Sequence, residues 1–273
     1  MDNGGMVLKK TFAVLALGAF MLLYSSCVHA AISVAPSNIE IVLTEGAAEK
    51  GFFTVTNEAS ESVTVKVEPE DWFKMRLGRA GIPLDKWLTI SPVKFDIEPM
   101  GVKKVEYVIA PPDGANGEVA AMVYFGVTSD SGGMSITSRN GSSIYVAVAG
   151  TFNLDCVIKN VSVQKKKTNA DAPGNAILFI IEVENKGDVH VRPTGNINIT
   201  SDNGGKYEVP VVRGFPAYPG CAEKYMVTWD NADYAPGRYE ALITLDYGKI
   251  YNIKKEITKK VAFNIGKDGG VTY

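Results

Sequence analysis

Apolar and polar residues alternate along much of this chain with a period of two residues. Such a period indicates β-strands with one buried face, because successive side chains of a strand point to opposite sides of a sheet. The alternating stretches of the first half are residues 32–43, 53–55, 63–67, 88–97 and 102–109. Residues 119–127 form a near-continuous apolar run, which is typical of a central strand. No stretch keeps a helical period for three turns, so the pattern predicts an all-β fold.

The pattern of strands and turns occurs twice along the sequence. A Gly- and Ser-rich stretch at residues 129–143 interrupts the first series and is followed by one more alternating segment. A second series of alternating segments starts near Leu154. Short strands with turn signals at regular intervals are typical of β-sandwiches. We therefore predict two tandem immunoglobulin-like β-sandwich domains, at residues 31–153 and 154–273.

One tyrosine of the second series supports the immunoglobulin-like assignment. Tyr239 comes shortly after Pro236 and Gly237, at the start of the penultimate strand. This is the position of the tyrosine corner, in which the hydroxyl bonds to the backbone a few residues upstream. We expect Tyr239 to make that bond.

The N-terminus has the pattern of an export signal. Basic residues at 9–10 precede an apolar run at residues 12–24, and small residues follow it. We therefore predict that residues 1–30 are a secretory signal peptide. A lipoprotein signal with Cys27 as the lipidated residue is the alternative, but Tyr24 stands where such signals usually have an aliphatic residue.

The apolar run of this signal is shorter than the ~20 residues that a membrane-spanning helix needs. We expect no stable membrane insertion after signal cleavage. The predicted location is the periplasm, or the outside of the cell as a secreted or cell-surface protein.

Charge and histidine content limit the chemistry that this chain offers. The chain has 28 basic and 30 acidic side chains and a net charge of -2, so it lacks the basic field that nucleic-acid binding needs. Beyond the predicted signal peptide His190 is the only histidine, and we expect it to face solvent or pack on a neighbour. One histidine and two separated cysteines do not make a zinc site. The sequence therefore predicts a protein that is not an enzyme and has no cofactor.

Cys156 and Cys221 form an even pair in a chain that is predicted to enter an oxidising compartment. A disulfide between them would stabilise the second domain by roughly 4 kcal/mol in the chain-entropy model. Two buried free thiols are the other interpretation, because spacing along the chain does not define the distance between the two residues.

Four segments of the first half resemble a known family. They are ISVAPSNIEIV at 32–42, the turn at Asn57, LTISP at 88–92 and PPDGANGEVAAMVYF at 111–125. These segments are similar to the first domain of periplasmic pilus-assembly chaperones, the PapD-like proteins. They are also similar to a related domain at the front of bacterial surface proteins that bind the cell wall.

The resemblance implies a function in binding extracytoplasmic protein subunits of a pilus or a surface structure. Chaperones of this family lend an edge strand whose alternating side chains fill a groove in the subunit. The corresponding candidates here are Ile144, Val146 and Val148, preceded by Met134 and Ile136. The competing interpretation is that these residues face the chain's own core.

The sequence departs from the family in the residues that hold the subunit's terminal carboxylate. The family places one basic residue on the first strand and another on the last. Here the first position falls at or beside Asn38, and residues 144–152 contain no Lys or Arg; Arg139 is the nearest. The alternative function is therefore an envelope or cell-surface module that recognises cell wall or a partner protein through its loops.

Overall fold

The computed structural model describes residues 32–79, 82–131, 134–166, 176–230 and 234–273. As the alternating pattern predicts, nearly all of its regular structure is β. The strands are β1 (Ile32–Ala35), β2 (Asn38–Leu43), β3 (Glu49–Asn57), β4 (Val63–Asp71), β5 (Leu88–Ser91), β6 (Lys94–Ile97), β7 (Val102–Ile109), β8 (Glu118–Ser131), β9 (Met134–Val148), β10 (Cys156–Lys165), β11 (Ala176–Asn185), β12 (Thr194–Ser201), β13 (Lys206–Val211), β14 (Ala222–Asp230), β15 (Gly237–Asp246), β16 (Glu256–Ile265) and β17 (Val271–Thr272).

The first nine strands form two packed sheets. One sheet has the order β1-β3-β7-β5 and the other β2-β9-β8-β4-β6. The chain changes sheets between β1 and β2, so that β2 lies parallel to β9 while the other pairs are antiparallel. Phe53, Val65, Phe125 and Ile144 are fully buried in this core. The interior is apolar because one face of each strand alternates inward.

The remaining strands form a second pair of sheets, with the orders β10-β11-β14 and β13-β12-β15-β16-β17. Phe179, Ile197 and Phe263 are fully buried in its core. The Tyr239 hydroxyl donates a hydrogen bond of 2.6 Å to the Ala235 carbonyl, which confirms the predicted tyrosine corner. The fold is therefore the predicted one of two tandem immunoglobulin-like sandwiches.

Each sandwich buries an asparagine at the end of a strand, β3 in the first sandwich and β11 in the second. In the first, Asn57 Nδ2 donates to the Glu61 carbonyl in the loop after β3 at 2.7 Å and to the Ile97 carbonyl at 3.1 Å. In the second, Asn185 Nδ2 donates to the carbonyls of Val189 and Ala217 at 2.7 and 2.8 Å. A buried amide must satisfy its donors, and in both domains it does so by holding the loop that follows the strand.

One short α-helix, α1 (Trp72–Leu77), follows β4. The Asp71 side chain accepts a bond from the Lys74 backbone N–H at 2.9 Å, and Gly78 ends the helix in the left-handed conformation. Two 3₁₀ helices cover Leu84–Lys86 and Lys249–Tyr251. The latter packs against β2 and so links the two halves of the chain.

Buried side chains gather into two large cores, one drawn from residues 32–146 and the other from residues 154–265 together with Ala147. The domain boundary after residue 153 stays a prediction. The predicted signal peptide and Cys27 lie outside the described residues. In the described part of the chain, no helix is long and apolar enough to cross a membrane.

Candidate functional site

Strand β9 contains all five residues that the sequence singles out for partner binding, and its two halves differ. Residues 143–148 pair with β2 on one side, and residues 143–147 pair with β8 on the other. The side chains of Ile144 and Val146 are buried in the first core, and Val148 is also buried. Their backbone and side chains are thus engaged within the domain, and a direct contact with a partner stays a prediction for these three residues.

The first half of β9 is paired on one side. Residues 134–139, which we call the free edge, pair with β8, and no described strand pairs with their other side. Ile136 lies on this segment with 55% of its side chain exposed, and Met134 begins the strand. Just beyond the free edge, the Asn140 side chain donates to the Ile32 carbonyl.

The backbone N–H groups of the free edge have a defined direction. Those of Ser143 and Ala149 donate toward the β2 side of the strand, at 3.1 and 2.8 Å, while that of Val148 donates toward β8 at 2.9 Å. The register between β8 and β9 is continuous, so this direction alternates regularly along the strand. Three N–H groups therefore point away from β8 at the free edge, those of Ser135, Thr137 and Arg139.

A cleft of about 670 Å³ lies between the two sandwiches, beside the second half of β9. Trp72 Nε1 donates to the Tyr218 hydroxyl at 2.7 Å, and the hydroxyls of Tyr218 and Tyr145 lie 2.8 Å apart. Burial and the Tyr218 hydroxyl raise the pKa of Tyr145 well above its usual value. Ser143 lines the same cleft. Aromatic rings from both domains thus form its wall.

Two arginines line this cleft, although the family's basic positions carry none. Asn38 lines the cleft as an uncharged residue. The Arg76 guanidinium of α1 lies 5.3 Å from the Trp72 ring centroid and 5.8 Å from that of Tyr218. Arg192 comes from the second domain and donates to Glu40 Oε1 at 2.6 Å. Neither arginine is predicted from the sequence, because both lie outside the two strands that carry the basic residues in the family it resembles.

His190 packs between the domains. Of the two environments expected for it, solvent or a neighbouring residue, the structure shows the second. It is 1% exposed, and its Nδ1 atom lies 2.7 Å from Glu118 Oε1. Its Nε2 atom lies 3.4 Å from Glu40 Oε1 but has no hydrogen bond of regular geometry. The imidazole also packs on the Tyr145 ring, with the ring centroids 4.0 Å apart. Across the described residues no group of three His, Cys, Asp or Glu side chains is arranged to hold a metal ion.

The charged residues of this cluster shift one another's pKa values. Burial tends to raise the pKa of Glu40, but the imidazole of His190 at 3.4 Å and the charge of Arg192 outweigh burial and hold that pKa well below its usual range. The Arg213 guanidinium also pairs with Glu40. No local sequence motif predicts the cluster, because its members come from distant parts of the chain.

Cys156 and Cys221 are free thiols, the first buried and the second half-buried, so the disulfide alternative is not formed in the structure. Cys156 is opposite Asn185 on β11, and the Asn185 N–H donates to the Cys221 carbonyl on the far side of that strand. Two strand spacings, about 9–10 Å, separate the cysteines, which exceeds the Cα separation of a disulfide. Burial raises the pKa of Cys156 to about 12.

No protein-family model and no curated protein matches this chain. Several solved structures are similar. The YadV chaperone shares 9% identity at a TM-score of 0.41, with 85% of this chain and 99% of that one covered. The class 5 fimbriae chaperone CfaA shares 18% at 0.41, with 85% and 98% covered. The E. coli chaperone DraB shares 12% at 0.39, with 84% and 98% covered.

These matches cover most of the chain, whereas the resemblance in the sequence lies in segments of the first half. At these identities and TM-scores, the likeness concerns the arrangement of strands. What the chain binds has to be argued from its own residues.

Proposed function

We propose that this protein is a non-catalytic, periplasmic chaperone-like assembly protein that binds an extracytoplasmic protein subunit by β-strand addition. The free edge of β9 is the observation that carries this proposal. It presents a row of N–H and C=O groups beside an exposed Ile136. An added strand would satisfy these groups and gain affinity from main-chain hydrogen bonds, while Ile136 and Met134 would supply side-chain contacts.

An unpaired edge is a liability for an isolated protein, because it also pairs with unintended strands. Charged residues commonly protect such edges, but Arg139 is the one charged residue of the free edge. Its guanidinium is directed to Glu68 and Glu70 on β4, at 3.2 and 3.8 Å. The edge itself is left with small polar and apolar side chains, which suits a binding surface.

The cleft between the domains supports the same proposal. The free edge leads along β9 to Ser143, which lines the cleft. A subunit strand on this edge would thus direct one of its ends toward the aromatic wall and Arg76. In our proposal the Arg76 guanidinium provides the positive charge for a carboxylate at that end, in place of the two basic residues that the family carries elsewhere.

Thr137 offers a test that separates main-chain pairing from side-chain contact. Thr137→Pro removes one outward N–H of the free edge and spares the hydrogen bonds to β8, whereas Thr137→Ala keeps that N–H and removes the side chain. The tagged proteins are purified from the native envelope and their captured proteins are identified by mass spectrometry. We expect a secreted β-rich subunit with the wild type and with Thr137→Ala, and at least a tenfold loss with Thr137→Pro (about 1.4 kcal/mol).

Hydrogen–deuterium exchange of the captured complex provides the second readout. Strand addition predicts slower exchange at residues 135, 137 and 139 than in the free protein, because their N–H groups would become paired. Equal capture by Thr137→Pro, or unchanged exchange at these residues, would refute strand addition at this edge. Retention of all three proteins on purified cell wall would instead support the alternative function of wall recognition through loops.

A further inference from the structure

A charged cluster that the proposed function does not use joins the two sandwiches. His190 belongs to the second sandwich, whereas Glu40 and Glu118 belong to β2 and β8 of the first. The imidazole lies between these two carboxylates, at 3.4 Å from Glu40 and 2.7 Å from Glu118. One side chain of the second domain thus contacts two acidic side chains of the first.

The buried negative charge of Glu118 is balanced by the positive charge of His190. The Glu118 side chain is 1% exposed. It accepts hydrogen bonds from the His190 backbone N–H at 2.8 Å, from the imidazole at 2.7 Å and from the Tyr251 hydroxyl at 3.1 Å. Among the described residues, His190 is the only cationic partner of Glu118 within 4.0 Å. A buried carboxylate that loses its cation is costly.

Glu40 differs from Glu118 because it has other cations. Arg192 and Arg213 both pair with it, and the former also donates to the Gly214 carbonyl at 2.7 Å. The charge on His190 therefore matters more for Glu118 than for Glu40. Loss of that charge would leave one buried negative charge in the interface without a counter-charge.

We propose that His190 is a pH-sensitive latch between the two domains, closed when the imidazole is charged and loosened when it loses its proton. The titratable and charged groups that face it come from every element packed around it. They are Glu40 on β2, Glu118 on β8, Tyr145 on β9, Tyr251 of the second 3₁₀ helix and Arg192 on its own segment.

The direction of the pH effect follows from these neighbours. Burial tends to lower the pKa of His190, but the charge and hydrogen bond of Glu118 and the nearby charge of Glu40 outweigh burial and raise it above the usual 6.5. A raised histidine pKa stabilises the folded state fully below 6.5, and this stabilisation is lost as the pH rises through the raised value. The latch therefore opens on the alkaline side.

Acid acts on the latch through Glu40. Its pKa is lowered from the usual 4.5, so its stabilising contribution is complete above 4.5 and is lost as the pH falls through the lowered value. The interface is accordingly strongest between these limits, from 4.5 to 6.5. The interface is loosened as the pH rises through the raised pKa of His190.

Nuclear magnetic resonance of the exported chain tests the charge state directly. His190 is the only histidine after the predicted signal peptide, so its imidazole signals are unambiguous; if His29 is retained, His29→Asn removes the second set. We expect one titration with a pKa above 6.5. A neutral imidazole at about pH 6, or a pKa beyond about pH 9, would overturn the proposal, because no switch would then operate in that range.

Thermal unfolding and small-angle X-ray scattering test the consequence for the domains. From about pH 6 to about pH 9 we expect the wild type to lose about 2–4 °C of melting temperature and its radius of gyration to increase. Glu118→Gln removes the carboxylate that needs the cation, so we expect a flatter pH dependence and no loss at the alkaline end. His190→Gln should also flatten it, but with the melting temperature already lowered at about pH 6.

The two variants make the outcome decisive. If the wild type shows no pH dependence of melting temperature and of radius of gyration, the latch is refuted. The same holds if Glu118→Gln and His190→Gln keep the wild-type slope, because another group would then cause it. These measurements use the unliganded protein, so they stand apart from the test of strand addition.

Discussion

The two halves of β9 belong to one continuous strand but differ in their surroundings. Residues 143–147 lie between β2 and β8, and the side chains of Ile144 and Val146 are directed into the core. The free edge continues the same pairing with β8, but no described strand covers its outer side. The difference arises because β2 is only six residues long and ends its pairing at Ser143.

This comparison shows how one strand supports both stability and binding. The second half has few groups left for a partner, since its hydrogen bonds and its apolar side chains are used within the domain. The free edge has the same backbone chemistry with half of it unused. Residues that alternate identically in sequence therefore have different roles, and the length of a neighbouring strand decides which role applies.

The largest expected effect comes from a charge in the buried half. Val146→Asp places a carboxylate in an apolar core and should lower the free energy of unfolding by about 4 kcal/mol or more. The matched change in the free edge, Ile136→Asp, should cost less than about 1 kcal/mol because that side chain is largely exposed. Urea denaturation of both variants measures the difference. Similar values for the two would contradict the division of β9 into two environments.

Proline substitutions in adjacent positions should have an intermediate effect. Ser138 directs its N–H toward β8, so Ser138→Pro removes a hydrogen bond of the ladder and should cost about 1–3 kcal/mol. Thr137→Pro removes an N–H that points away from β8 and should cost much less. Thermal denaturation of the two variants sharpens the comparison. A larger loss for Thr137→Pro would mean that the outer side of the free edge is already paired.

A smaller effect is expected where the two halves of β9 meet. The buried Ser142 hydroxyl donates to the Pro36 carbonyl at 2.7 Å, where the chain changes from one sheet to the other. Ser142→Ala should reduce the stability by about 1 kcal/mol, because the hydrogen bond between the buried Ser142 hydroxyl and the Pro36 carbonyl is lost. The exposed Ser138→Ala serves as the control with little change. Chemical denaturation of both checks this, and equal values would remove the role we give to the Ser142 bond.

Much of the fold follows from the sequence pattern, because one face of nearly every strand is apolar. Tyr239 is an example, because the Pro-Gly turn before it is a local signal that predicts the tyrosine corner of an immunoglobulin-like sandwich. The cysteine pair shows the limit of such reasoning. An even number of cysteines suggests a bridge, but the intervening strand β11 keeps Cys156 and Cys221 apart.

The candidate site was predicted less completely than the fold. Sequence alternation located β9 but could not separate Ile136 from Val146, because both stand on the same face of an alternating strand. The distinction depends on how far β2 extends beside β9. The clustering of His190, Glu40 and Glu118 was likewise outside the reach of local patterns, since these residues are 72 or more positions apart on either side of the domain interface.

The sequence by itself determined the class of fold, the two-fold repetition of the sandwich plan and the scarcity of histidine. These properties depend on local periodicity and composition, and both are properties of the sequence itself. Only the tertiary structure decided which edge of a strand is free, which arginines line the cleft and which carboxylates surround His190. Such properties depend on contacts between segments distant in sequence, and periodicity within one segment contains no information about its neighbours in space.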